Sequence, residues 1–121
     1  MLTENKKFIT PIHAVSIVDE YLEHSRVMVF HNNGNEKVYI SSADFMIRNL
    51  NHRIEVASPI LDKTIKKELL EILNLQLQDN VKARALNNDQ TNIYLTSTGR
   101  KKIRSQVEIY NYLFRKTHSF E

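Results

Sequence analysis

The sequence predicts one α+β domain, a small mixed or antiparallel sheet packed by helices, and three observations predict it. Two runs rich in β-formers, RVMVF and KVYIS, flank a turn centred on Asn33-Gly34. The stretch KELLEILNLQL carries apolar residues at helical spacing. A length of 121 residues with 41% hydrophobic content supplies one core and not two, so residues 1–121 are read as a single domain. The predicted order is α-β-β-β-α-β-α.

Each element has a local reason. Thr10-Pro11 reads as a helix start, threonine as N-cap and proline where its missing N–H costs nothing. Ile12, Val15, Val18 and Leu22 then recur at helical spacing, which predicts a helix over about 11–24. The two strands around Asn33-Gly34 follow as an antiparallel pair. After Ser41 the alternation stops, and ADFMIRNLN reads as a loop or short helical turn before RIEVASPI resumes as a third strand ended by Pro59. Asp62 caps a second helix to about Asp79, with Ile65, Leu69, Ile72, Leu73 and Leu77 on one stripe. VKARAL is a short fourth strand, and RSQVEIYNYLFRK is a terminal helix with Val107, Tyr110, Leu113 and Phe114 facing inward.

Composition narrows function. Seventeen basic and fourteen acidic residues give a formal charge of +3, which favours anionic partners without requiring nucleic acid. Cysteine is absent, which removes disulfides and thiolate metal sites and suits a cytoplasmic protein. No apolar run reaches the ~20 residues of a membrane span, and the N-terminus has no signal-peptide core. Two glycines leave no glycine-rich phosphate loop, so phosphate must be gripped by side chains and strand ends. The basic run RKKIR at 100–104 reads as a solvated face.

The candidate site is the corner ISSADFMIRNLNHRIEV. Ser41, Ser42 and Asp44 end a strand, where hydroxyls and free N–H groups can hold an anion, although the same residues also serve turns. Arg48 and Arg53 add planar forks suited to phosphate. His24 falls at the predicted C-terminal end of the first helix, where the last carbonyls favour a protonated imidazole; by position alone a histidine there more often caps the helix or faces solvent than contacts phosphate or moves a proton. His13, His31, His52 and His118 have no partner at metal-ligand spacing, so no metal cluster is expected.

These residues carry a resemblance. AVSIVDEYLEHSRVMVFHNNGNEKVYISSADFMIRNLNHRIEVASPILD, with DNVKARALNNDQTNIYL and RSQVEIYNYL downstream, resembles the C-terminal domain of bacterial polyphosphate kinase. The resemblance implies a phospholipase D-like architecture and an enzyme that moves the terminal phosphate of ATP reversibly onto inorganic polyphosphate. It implies a phosphohistidine carried by a preceding domain that lies outside this chain, so the 121 residues alone are expected to be inactive. His24, in LEHS, is similar to the family's second active-site histidine and Arg53 to an arginine beside it. Further implications are ATP or ADP and polyphosphate as ligands, Mg²⁺ held by groups outside this segment, the upstream domains as partners, and homo-oligomers. A cytoplasmic location follows, with membrane association as part of the full enzyme.

Two other classes of protein share features of this pattern. A phospholipase D-like phosphodiesterase needs a His-x-Lys pair, and no histidine here is followed two residues later by lysine. A non-catalytic module that binds polyphosphate or nucleic acid through its basic surface stays open.

Overall fold

The N–H of Ser41 donates to the carbonyl of Arg26 at 2.9 Å, and that bond sets the phase of the sheet around the candidate corner. The computed structural model describes residues 12–87, 89–96 and 99–118. Strands β1 (Val15–Ile17), β2 (Val27–Phe30), β3 (Lys37–Ser41), β4 (Ala57–Pro59) and β5 (Ala83–Ala85) alternate with helices α1 (Ile47–His52), α2 (Lys63–Leu77) and α3 (Ser105–His118). The chain falls into two compact units, one of residues 22–72 and one of residues 1–21 with 73–121. No helix among the described residues is long and apolar enough to cross a membrane.

In the 22–72 unit, β2, β3 and β4 form an antiparallel sheet in that order. The β2–β3 turn matches its sequence signature. A 3-10 turn at Asn32–Gly34 places Asn33 at φ 54° and Gly34 at φ 82°, both left-handed, while the Asn32 amide donates to the Asn35 carbonyl at 2.9 Å. A Cβ on Gly34 would meet no atom within 4 Å, so its backbone angle alone requires glycine. Gly34→Ala is therefore expected to cost about 1 kcal/mol in urea unfolding without altering the native circular dichroism spectrum. Val38 on β3 is the buried apolar side chain of this unit among the described residues. Asp62 caps α2 as expected, its Oδ1 accepting the N–H groups of Thr64 and Ile65 at 2.8 and 2.9 Å.

In the other unit the first predicted helix is replaced by a strand. The proposed start at Thr10-Pro11 lies outside the described residues, but 15–17 are β1, paired antiparallel with β5 through Val15↔Ala85, Ser16↔Arg84 and Ile17↔Ala83. Val15, Ile17 and Val18 are β-branched and lose side-chain freedom in a helix, and the small side chains of Ala83 and Ala85 admit Val15 and Ile17 across the ladder. Beyond β1 the chain bends at residues 20–21 and is pinned there. The Gln106 amide accepts the Tyr21 N–H at 3.0 Å and donates to the Tyr21 carbonyl at 2.7 Å. Asp19, its side chain 1% exposed, takes a two-pronged bond from Arg104 at 2.8 and 2.7 Å. Arg104 thus leaves the expected solvated face, and its hydrogen bonds, aided by its charge, hold the Asp19 carboxyl below the ordinary aspartate range despite the opposing effect of desolvation.

Asp79, just past α2, organises the rest of this unit. Its Oδ1 accepts the N–H groups of Val81, Lys82 and Ala83 at 3.0, 2.7 and 2.9 Å, and its Oδ2 accepts that of Ser105 at 2.7 Å. One buried carboxylate therefore starts both β5 and α3. Arg84 lies 4.4 Å over the Tyr94 ring and donates to its hydroxyl at 2.6 Å, which lays residues 93–95 along the free side of β5. The observed order is β-β-β-α-β-α-β-α, in place of the predicted one. The apolar stripes also differ from expectation. Leu77 on α2 and Tyr110 on α3 are 67% and 65% exposed, and Ile65, Val107 and Phe114 are exposed as well. Periodicity sets which face of a helix is apolar, not whether another element covers it.

Candidate functional site

The corner after β3 is built by a chain of short-range bonds. The Ser41 hydroxyl accepts the Ala43 N–H at 3.0 Å, which turns the chain out of the sheet. Ser42 then closes a loop with β4's approach: its N–H donates to the Val56 carbonyl at 3.0 Å and its hydroxyl oxygen accepts the Val56 N–H at 3.1 Å. The Ser42 hydroxyl donates its proton to Glu55 Oε2, while Glu55 Oε1 accepts the amide of Asn49 at 2.8 Å. Asn49, 4% exposed on α1, is thereby tied to the chain that follows the helix. The excursion 42–56 that carries Arg48 and Arg53 is closed at its base.

Asp44 faces the other way, accepting a hydrogen bond from Arg26 Nε at 2.5 Å. Arg26 Nη1 also donates to the His24 carbonyl at 3.2 Å, so the guanidinium ties the approach to β2 to the corner. A cavity of about 430 Å³ opens here, lined by polar Arg26, Ser41 and Asp44 and by apolar Met28, Phe45 and Leu50.

Electrostatics link the corner to the predicted cations. The hydrogen bond from Arg26 holds the Asp44 carboxyl below its ordinary range against the opposing effect of burial, and the charges of Arg26, Arg48 and His24 act in the same direction. Glu55 is lowered by its hydrogen bonds from Ser42 and Asn49, and by the charges of Arg53 and Arg26. His24 and Arg48 thus lie in the field of one carboxylate, and Arg53 in the field of the other. Ser41 and Asp44 line the cavity itself, whereas His24, Arg48, Arg53 and Ser42 are exposed and are not part of its wall.

The expected roles are redistributed by these contacts. An ionised Asp44 only accepts hydrogen bonds and repels phosphate, so what it does here is fix Arg26. The hydroxyls of Ser41 and Ser42 hold the backbone turn. No helix ends at His24, so a helix dipole does not act on it; its nearest structural link is its own carbonyl on Arg26. Sequence reasoning missed Arg26, Glu55 and Asn49. Arg26 stands two residues after His24 and opens the predicted strand RVMVF, while Glu55 lies within the predicted strand RIEVASPI, so neither carries a local signal beyond its strand.

A cation-rich rim thus stands on a corner tethered by two carboxylates, and similarity assigns the chain to a class. The chain belongs to the family described as polyphosphate kinase C-terminal domain 2, whose profile matches residues 1–106. Among its relatives is the polyphosphate kinase of Vibrio cholerae, 51% identical over 102 residues, which are 84% of this chain and 15% of that protein. The polyphosphate kinase of Escherichia coli K12 is 49% identical over 102 residues, again 84% of this chain and 15% of the relative. The crystal structure of polyphosphate kinase from Porphyromonas gingivalis superposes with a TM-score of 0.86 at 48% identity, covering 90% of this chain and 17% of that one. The chain therefore spans about one part in seven of the relatives it matches, 15% of their length.

Proposed function

We propose that this chain is the C-terminal catalytic portion of a polyphosphate kinase, which transfers the terminal phosphate of ATP reversibly to inorganic polyphosphate. Residues 1–121 form part of one phospholipase D-like domain, N-terminally truncated, in this reading, and the phosphohistidine that carries the phosphoryl group is supplied from outside it. The observation that carries the proposal is the superposition on a polyphosphate kinase at 48% identity. His24, when protonated, offsets charge on the bridging oxygen as it leaves, and Arg48 and Arg53 hold nonbridging oxygens. Arg26, locked by Asp44, adds a guanidinium whose direction is fixed before any ligand arrives.

Magnesium belongs to this reading through the family's chemistry. The donors of the corner do not fit it: Asp44 and Glu55 are committed to Arg26 and to Ser42 and Asn49, and among the described residues no three acidic, histidine or cysteine groups cluster to hold a metal. The enzyme is cytoplasmic in this proposal and works with the rest of its own polypeptide.

The test is transfer of radiolabel from ATP. The 121-residue chain alone is expected to yield no acid-insoluble polymer, yet to bind polyphosphate at low salt about tenfold more tightly than an Arg48→Ala, Arg53→Ala double variant. Labelled polymer from the isolated chain would overturn the external phosphohistidine, and equal binding by the double variant would overturn the assigned cations. A binding module without chemistry is favoured by one further feature. Arg100 and Lys101 line a cavity of about 500 Å³ in the other unit, with Asn80 and Thr96. Single-stranded DNA competing with polyphosphate on equal terms at this surface would support that second reading.

A further inference from the structure

His24 stands on the irregular stretch ahead of β2, in no helix and in no strand ladder. What fixes it comes from two residues further along the chain. The backbone of Arg26 is held to β3 through the Ser41 N–H, and its side chain turns back so that Nη1 donates to the His24 carbonyl at 3.2 Å. Nε of the same guanidinium donates to Asp44 at 2.5 Å. Asp44 is held in turn, because the Ser41 hydroxyl fixes the turn at Ala43 and the Met46 N–H donates to the Asp44 carbonyl at 2.7 Å, just ahead of α1, the helix that carries Arg48. A guanidinium is planar and rigid, so two of its donors bound to acceptors on different segments fix the separation of those segments.

We infer that Arg26 and Asp44 are positioning residues for His24, clamping its main chain to the turn that leads to Arg48 so that the imidazole is in place before phosphate arrives. The inference rests on the phosphate role given to His24 above. It assigns Asp44 an effect on binding opposite in sign to that of its charge. A carboxylate beside a phosphate site repels the ligand, and Asp44 lies within the field of both His24 and Arg48. By charge alone its removal strengthens anion binding. Through the clamp its removal weakens binding, since a loosened His24 must be ordered again each time a ligand binds. Water and salt screen the repulsion at a side chain 40% exposed, so the loss of order prevails. Lysine at position 26 keeps the charge but ends in one ammonium centre on a flexible stem, which does not hold both acceptors as the fork does.

Backbone NMR relaxation of the full 121-residue chain, followed by titration with tripolyphosphate at low salt, tests the pair. In the parent, His24 is expected to show an order parameter of about 0.85, like that of β2. In Arg26→Lys and in Asp44→Ala it is expected to fall below about 0.6 while Val27–Phe30 and Lys37–Ser41 keep theirs. Both variants are expected to bind tripolyphosphate about fivefold more weakly than the parent, Asp44→Ala in spite of the negative charge it removes. Unchanged order at His24 in either variant overturns the inference. So does a loss of order that spreads through β2 and β3, which marks a folding role, or an Asp44→Ala chain that loosens His24 yet binds tripolyphosphate at least as tightly as the parent. A His24→Ala chain that binds as the parent does removes the phosphate role of His24 itself, and the order parameters, which need no ligand, tell that failure apart from failure of the clamp.

Discussion

Asp79→Ala is expected to destabilise the chain by about 3–5 kcal/mol, enough to abolish most of the stability of a domain this size. The reason is the number of donors that one carboxylate serves. The N–H groups of Val81, Lys82, Ala83 and Ser105 all end on Asp79, and the residue itself is only 4% exposed. Alanine leaves those donors without an acceptor at the start of β5 and at the first residue of α3, where orphan N–H groups are already in surplus. Burial alone would raise the Asp79 pKa, but the N–H groups of Ser105, Lys82 and Val81 favour the charged form more strongly, and the net displacement is downward. A lowered folded pKa means that the contribution is complete above the unfolded value of about 3.9 and is lost as pH falls through the folded one. Wild type is therefore expected to lose stability on acidification below about pH 4, in urea titrations followed by circular dichroism. Asp79→Asn keeps the shape but turns an amide toward one backbone donor, so it is expected to be less stable at pH 7 and to lack that acid limb. An alanine variant within 1 kcal/mol of wild type would show that water replaces the carboxylate.

Asn49→Asp is expected to produce the opposite pH dependence at the candidate site. The Asn49 amide donates to Glu55 at 2.8 Å, and an aspartate there sets two carboxylates against each other. Their shared pKa in the folded state is raised, so the variant is closest to wild type below about pH 4 and falls behind as pH rises through the folded value. Asn49→Ala, which merely deletes the bond to a charged acceptor, is expected to cost about 2 kcal/mol at pH 7 and to recover part of that below about pH 4 as Glu55 protonates, a shallower dependence than the aspartate's. At pH 7 the aspartate variant is expected to be the worse of the two. Because Glu55 and Ser42 close the base of the excursion bearing Arg48 and Arg53, the aspartate variant is also expected to bind polyphosphate more weakly at pH 7 than at pH 5. A flat profile would show that Glu55 does not hold those arginines in place.

These two carboxylate networks mark the boundary between what could and could not be read in advance. The corner itself was legible, because Ser41, Ser42 and Asp44 at the end of an alternating run predict a turn by their side-chain chemistry. Arg48 and Arg53 were legible as cations beside it. Their anchors were not. Glu55 finds Ser42 across 13 positions of sequence, Arg26 finds Asp44 across 18, and Arg104 finds Asp19 across 85. Pairings at such separations leave no period and no local motif.

By itself the sequence determined the hairpin, since Asn33-Gly34 is one of few pairs that tolerate consecutive left-handed angles. It also determined α2 and its Asp62 cap, and α3, where helical spacing is long enough to outvote any alternative. Only the tertiary structure decided that residues 15–17 form a strand. Ile12, Val15, Val18 and Leu22 suit a helix and Val15, Ser16 and Ile17 suit a strand, and the tie was broken by the ladder that Ala83 and Ala85 offered. Local preference amounts to a few tenths of a kcal/mol per residue, and a paired, half-buried ladder with Asp19 and Gln106 fastening its exit outweighs that sum.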